Sequence, residues 1–150
     1  MPVVSRTFRV NPGAAEVLGY LADFSHAEQW DPGTVSCTRS DAGPVAAGAS
    51  WHNVSKFAGR TTELDYTLEQ LTGDTLVFVG RNQGATSTDT ITVRPDGAGS
   101  QVTYRADLRL HGAAALLGPA LKLVFEKVAG DTERKLVTVL NTLPGHMVTE

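Results

Sequence analysis

The residue best placed to do chemistry is Asp89. Ser87, Asp89, Ile91 and Val93 alternate with Thr88, Thr90 and Thr92, so a strand over 86–94 puts this carboxyl on the same face as Ile91 and Val93. A carboxyl turned inward loses water, and desolvation raises its pKa toward the range of a general acid or base. The competing reading leaves Asp89 at a strand end, solvated or paired with Arg81. Asn53 and Ser55 share a face with Trp51 and Phe57, and Tyr104 lies in phase with Ala106 and Leu108. Burying an amide or hydroxyl without a partner costs about 1–3 kcal/mol, so Asn53, Ser55, Asn82 and Asp89 together imply water or a polar ligand group beside them. Asp89 with Tyr104 or Asn53 is therefore the candidate catalytic set. Tyr66 and Tyr104 can donate to a ligand carbonyl or carry their hydroxyls to a rim. Arg81 can meet a carboxylate or extend to water.

Other chemistries find less support. His26, His52, His111 and His146 are scattered without metal-ligand spacing, and Cys37 is the single cysteine, so no metal site is expected. Cys37 reads as a small buried apolar residue rather than a nucleophile, and without a second thiol the expected compartment is the reducing cytoplasm. His52 is out of phase with Trp51 and should be exposed. Gly112 to Gly118 lacks the Lys-Ser/Thr ending of a phosphate loop, no strand-to-helix G-x-G-x-x-G exists, and no cofactor is expected. A formal charge of -3 and a pI near 5.8 argue against nucleic acid as a partner. No run approaches the ~18 apolar residues of a membrane span, and MPVVSRTFRV alternates like a strand rather than forming the apolar core of a signal peptide.

The elements that must position these groups follow from periodicity. A strand over 3–10 precedes an amphipathic helix over about 12–22, opened by Asn11-Pro12, and a second short helix from Phe24 to Trp30. Asp31-Pro32-Gly33 is a turn, read as an anchor rather than a ligand contact, and Trp30 belongs at an entrance or under a sheet. Val35 and Cys37 open a strand that fades at Ala42-Gly43-Pro44. Around Ala58-Gly59, residues 51–57 and 62–68 form a hairpin in which position i pairs with 117 minus i, setting Trp51 against Tyr66, Asn53 against Leu64 and Ser55 against Thr62. Leu76 to Val79, residues 86–94 and Val102 to Leu110 supply three more strands, the last read as the longest. The chain closes with a helix from about Pro119 to Thr142, about 36 Å at ~1.5 Å per residue. Its apolar seam is Leu117, Leu121, Val124, Val128, Leu136, Val139, Leu140 and Leu143. Gly130, which costs ~1 kcal/mol against Ala inside a helix, predicts a bend or a close backbone approach.

With 41% hydrophobic and 19% charged residues over 150 positions, the expectation is one domain, 1–150, with a real core. Its class is α+β: a curved antiparallel sheet of six to seven strands gripping a long C-terminal helix, with two short helices after the first strand.

This order, with Trp30-Asp31-Pro32-Gly33 after the paired short helices, Gly48 to Trp51 entering the third strand and the F-x-G-R of Phe57 to Arg60, resembles the START-like or SRPBCC superfamily. Within that helix-grip group it is similar to the polyketide cyclases/dehydrases. The resemblance implies an internal cavity between sheet and helix for apolar or amphipathic small molecules, and it does not fix an activity.

Alternation supplies the cavity walls: Trp51, Phe57, Leu64, Tyr66, Leu68, Phe78, Ile91, Tyr104 and Leu108 from the sheet, and Leu117, Leu121, Val124, Phe125 and Val128 from the helix. Asn53, Ser55, Arg81 and Asn82 are added as ligand-binding positions. These residues either fill a core or hold a ligand. The first function expected is binding of a small hydrophobic molecule (aromatic, polyketide- or lipid-like) by a monomer or homodimer. A cyclase or dehydratase using Asp89 with Tyr104 or Asn53 is the second, and a protein-interaction module without a ligand the third. The segments Gly112 to Pro119 and Ala42 to Gly48 are expected to gate the cavity.

Overall fold

A computed structural model of the chain describes residues 3–57, 59–112 and 118–143, the side chains of 57 and 118–121 excepted. Strand β1 (Val3–Val10) is followed by α1 (Ala14–Ala22), a single 3-10 turn (Phe24–His26) and α2 (Ala27–Trp30). Then come β2 (Thr34–Arg39), β3 (Ser50–Phe57), β4 (Arg60–Leu71), β5 (Thr75–Arg81), β6 (Ala85–Asp96), β7 (Gly99–Leu110) and the long helix α3 (Gly118–Leu140). The expected second helix is thus a 3-10 turn running into one short α-helical segment. Strand β7 equals β4 and β6 at 12 residues rather than exceeding them.

Seven strands form one antiparallel sheet in the order β1-β7-β6-β5-β4-β3-β2. The chain starts at one edge, crosses through α1 and α2 to the other, and returns by consecutive hairpins until β7 pairs with β1. The β3–β4 register is the one expected from alternation: Trp51 faces Tyr66, Asn53 faces Leu64 and Ser55 faces Thr62. Gly59 takes φ +78° in that hairpin, a conformation costly for a residue with a Cβ. Register shifts between Thr34 and Ser36 and between Leu68 and Gln70 mark bulges, which bend strands and increase twist.

The concave face is filled unevenly. At one end the turn between α1 and α2 drives Phe24 into the sheet. Its ring lies 4.5 Å from both Tyr66 and Phe78 and meets Trp30 and Trp51 edge-on at 6.1 Å. Leu21, Leu68, Leu76 and Ile91 complete this plug, all fully buried. Aromatic pairs of this geometry add about 0.5–1.5 kcal/mol each beyond area burial. Trp30 therefore sits inside the core rather than at an entrance.

Helix α3 follows the same division. Its C-terminal half docks through Ala129, Thr132, Leu136 and Leu140, continued by Leu143, steps of three and four that mark one helix face. Toward its N-terminus burial fades: Leu123 is 78% exposed and Val124 36%. Arg6 on β1 holds the helix midway, donating to the Glu126 carboxylate at 3.1 Å and lying 3.6 Å from that of Glu133. No break interrupts α3 at Gly130, and a Cβ there would meet only the Arg134 guanidinium at 3.8 Å, so the expected close approach is absent. Gly130→Ala should accordingly stabilise the fold by about 1 kcal/mol, read as a higher urea midpoint at unchanged slope.

Candidate functional site

Beyond the aromatic plug the inward side chains shrink. One rung across the sheet runs Trp51, Tyr66, Gly80, Ser87 and Leu108, and a neighbouring one runs Leu68, Phe78, Asp89 and Ala106. Gly80, Ser87 and Ala106 take positions where larger residues would meet α3. The result is a cavity of about 560 Å³ between the sheet and the N-terminal half of α3. Leu64, Ala106, Leu108, Leu110, Phe125 and Val128 give it apolar walls, while Asp31, Ser55, Tyr66, Ser87, Asp89, Tyr104 and Thr132 add polar groups. Lys56, Arg60, Thr62, Asn82, Gly84 and Ala85 line it at the hairpin ends.

Gly80 fixes the most crowded part of this wall. A Cβ there would lie 2.6 Å from the Tyr66 ring, so the ring lies flat on bare backbone. Tyr104 sits across the sheet from Ile91, with Trp30 edge-on to it at 6.0 Å. The Trp30 indole N–H is buried and has no acceptor among the described residues.

Asp89 is 6% exposed. Its two carboxylate oxygens accept only long hydrogen bonds, from the Ser87 hydroxyl and the Tyr104 hydroxyl, each at 3.4 Å. Burial, reinforced by the charge of Asp31, pushes its pKa up to about 7. Asp31 is held differently. Its Oδ1 accepts the Gly33 N–H at 3.0 Å and its Oδ2 accepts the Thr34 hydroxyl at 2.9 Å. Burial also raises its pKa, against the pull of those two donors and of Lys135. Both donors favour the ionised form, so Asp31 is the anion of the pair and Asp89 holds the proton. Burial and the neighbouring Asp89 push both tyrosine hydroxyls well above their ordinary range, leaving them neutral donors.

Sequence reasoning missed Asp31. The turn anchor expected at Asp31-Pro32-Gly33 is present, but the same carboxylate also lines the cavity. The turn is pinned to β3 by the Lys56 N–H donating to the Gly33 carbonyl at 2.8 Å, and a Cβ on Gly33 would stand 3.0 Å from the Lys56 carbonyl oxygen. An Asp before Pro-Gly with Thr at the next position was the available signal, through its side-chain-to-backbone bonding. Gly80 and Thr132 were also missed.

Of the expected site residues, Ser55, Leu64, Tyr66, Asn82, Asp89, Tyr104, Leu108, Phe125 and Val128 line the cavity. Trp51, Phe78 and Ile91 are fully buried in the closed end. Trp51 Nε1 donates to Asp23 at 3.3 Å. Asn53 is buried, its amide donating to Thr34 and its carbonyl accepting from Ser55, so its polar atoms are already spent away from the cavity lining. Arg81 lies 3.1 Å from Glu69, on the face opposite Gly80's neighbours, and not against Asp89. Val124 points outward because the cavity-facing phase of α3 runs through Phe125 and Val128. Leu117 lies outside the described residues, and nothing beyond the backbone is described for Phe57 and Leu121. Of the two expected gates, 113–117 is likewise outside them. Gly48 bonds to the Leu68 carbonyl at 2.8 Å, eight positions along β4 from Arg60, so the 42–48 loop borders the closed end and cannot gate the mouth. His52 is half-exposed on the outer face between Asp65 at 2.8 Å and Glu63 at 2.7 Å. Cys37 is buried, and burial pushes its thiol up to about 11. No cluster among the described residues could hold a metal ion.

A meandering antiparallel sheet closed by a long C-terminal helix over a half-filled cavity is the helix-grip fold. The chain belongs to the family described as polyketide cyclase/dehydrase and lipid transport, whose model matches residues 1–140. No curated protein matches the chain. Among solved structures it is similar to a START superfamily protein from Mycobacterium smegmatis, at 13% identity and a TM-score of 0.77 over 92% of this chain and 96% of that one. It is also similar to the Zhui aromatase/cyclase from Streptomyces sp. R1128, at 14% identity and a TM-score of 0.74 over 92% of each. The di-domain aromatase/cyclase StfQ of the steffimycin biosynthetic pathway matches at 13% identity and a TM-score of 0.69, over 92% of this chain and 50% of that one. No helix among the described residues is long and apolar enough to cross a membrane.

Two outcomes follow from the geometry. Raising the Asp89 pKa from 3.8 to about 7 means the folded state keeps a proton that the unfolded state has lost, so its burial costs stability increasingly as pH rises from about 4 to 7. Asp89→Asn should therefore raise Tm at pH 8, by about 10 °C, with the gain shrinking toward zero as pH falls to 4 in a thermal-melt series. Gly80→Ala should drive the Tyr66 ring off its seat and cost about 1–3 kcal/mol, as overpacking does, measurable by urea unfolding.

Proposed function

We propose that this protein binds a small, elongated hydrophobic molecule in the cavity between the sheet and α3, with the protonated Asp89 carboxyl and the Tyr104 hydroxyl donating to an oxygen of that molecule. The cavity carries this reading. Its walls are largely apolar, its volume of about 560 Å³ lies within the range of small-molecule sites, and Ser87, Asp89 and Tyr104 bring polar groups together inside it. Asp89, with two long hydrogen bonds among the described residues, has capacity left for a ligand. The family description includes lipid transport, which is in keeping with an apolar cargo.

Native mass spectrometry of freshly purified protein should find an apolar adduct, and N-phenyl-1-naphthylamine should brighten in the ligand-free protein. Ala106→Phe, which fills the cavity beside Asp89, should abolish both. A wild-type protein that emerges bare and leaves the dye dark would refute the reading.

A second reading makes the site an acid–base catalyst. The Asp89 pKa near 7 favours it, since such a carboxyl exchanges a proton readily at neutral pH. Zhui and StfQ, two of the similar structures, are aromatase/cyclases. Asp89 would protonate a carbonyl of a poly-β-ketone chain while the cavity holds that chain folded, with Tyr104 keeping the carboxyl in place. Asp89→Asn separates the two readings. Turnover of a poly-β-ketone mimic lost by at least about 100-fold with dye binding retained supports catalysis, and a wild type with no turnover leaves the binder.

A further inference from the structure

We infer that the molecule taken into this cavity carries an anionic group of carboxylate or phosphate type at its outer end, seated at the mouth against the Arg60 guanidinium. The inference rests on the reading of the cavity as a ligand site and adds the chemical class of what enters it.

Arg60 is unlike every other arginine of the chain. Each of the others has a carboxylate within 4.0 Å, whereas Arg60 has no ion-pair partner among the described residues. Its place is not a random point on the surface. It opens β4 in phase with Thr62, Leu64 and Tyr66, and it lines the cavity with them. Lys56, also without an ion-pair partner among the described residues, lines the same mouth. The neighbouring amide offers nothing further, because Asn82 already donates to the Glu63 carbonyl at 2.9 Å and accepts from the Gly84 N–H at 2.7 Å. Arg60 and Lys56 are thus the two cations at the mouth without an ion-pair partner among the described residues, and of the two the guanidinium fork is the one shaped for carboxylate or phosphate oxygens.

The far end has the opposite character. Asp89 becomes ionised there above neutrality, beside the Asp31 carboxylate, so an anion is disfavoured next to that pair and drawn toward Arg60. Tyr66 lies six steps along β4 from Arg60, about 20 Å at ~3.3 Å per residue. A molecule that satisfies both ends is long and apolar, with a neutral oxygen inside and an acid outside. Charge at the two ends then fixes the direction in which it enters.

The test uses two dyes that differ by one acidic group: neutral N-phenyl-1-naphthylamine and its sulfonate, 8-anilinonaphthalene-1-sulfonate. Fluorescence titration of the wild type should give the sulfonate the lower Kd, with an advantage that shrinks as salt is raised. Arg60→Gln should weaken the sulfonate by about fivefold and leave the neutral dye unchanged. Arg81→Gln, an exposed arginine already paired with Glu69, should change neither, and Ala106→Phe should lose both. Decanoate and decyl phosphate should each displace the bound sulfonate better than decanol, and the better of the two names the anion. Sulfonate binding equal in wild type and Arg60→Gln, with the neutral dye still bound, would overturn this inference alone. Failure of the neutral dye to bind would instead remove the cavity reading beneath it.

Discussion

A carboxyl taken out of water must hold a proton or find a cation, and Asp89 has no cationic partner among the described residues. The charge that bears on it is a second carboxylate, Asp31, which accepts from the Gly33 N–H and the Thr34 hydroxyl. The asymmetry decides which of the two keeps the proton. Asp89 then lies in the wall of an apolar cavity with its pKa raised to about 7, flanked by two tyrosines that burial also keeps neutral. Every other property of the site depends on this arrangement, since an apolar pocket without it would hold its contents by size alone.

The cavity exists because the concave face is filled from one end only. Phe24 and the rings packed around it occupy the closed half, and the C-terminal half of α3 seals against them through Leu136 and Leu140. Toward the other end the sheet presents Gly80, Ser87 and Ala106. The helix carries Phe125 and Val128 over the gap without filling it. Arg6 bridges β1 to two glutamates of α3, so the roof is held where few apolar contacts hold it. Stability and space are thereby assigned to opposite ends of one sheet.

Much of this was legible in the sequence, and the reason differs from element to element. The β3–β4 hairpin was readable to the residue because a two-residue loop and strict alternation leave one register. Asp89 and Tyr104 were readable as inward for the same reason. Depth along a strand was not. Trp51, Phe78 and Ile91 share the inward face with Leu64 and Leu108, yet they lie in the plugged end, because nothing local shows where Phe24 will land. Alternation alone leaves Asn53 free to act, but its partners Thr34 and Ser55 come from another strand and from two residues on. Asp31 was hidden by its turn: a motif that explains a residue's backbone role masks where its second oxygen points. On α3, one step of 100° separates Val124, which faces water, from Phe125, which faces the cavity, and an apolar pair at adjacent positions cannot reveal which of them is inside.

The most direct measurement of the central claim is the titration of the Asp89 carboxyl itself, followed by the chemical shift of its side-chain carboxyl carbon in labelled protein. Burial beside the charge of Asp31 predicts a midpoint near 7, lowered when Asp31 is replaced by Asn. A midpoint near that of an ordinary aspartate, about 4, unmoved by Asp31→Asn, would show a solvated carboxylate and contradict the account.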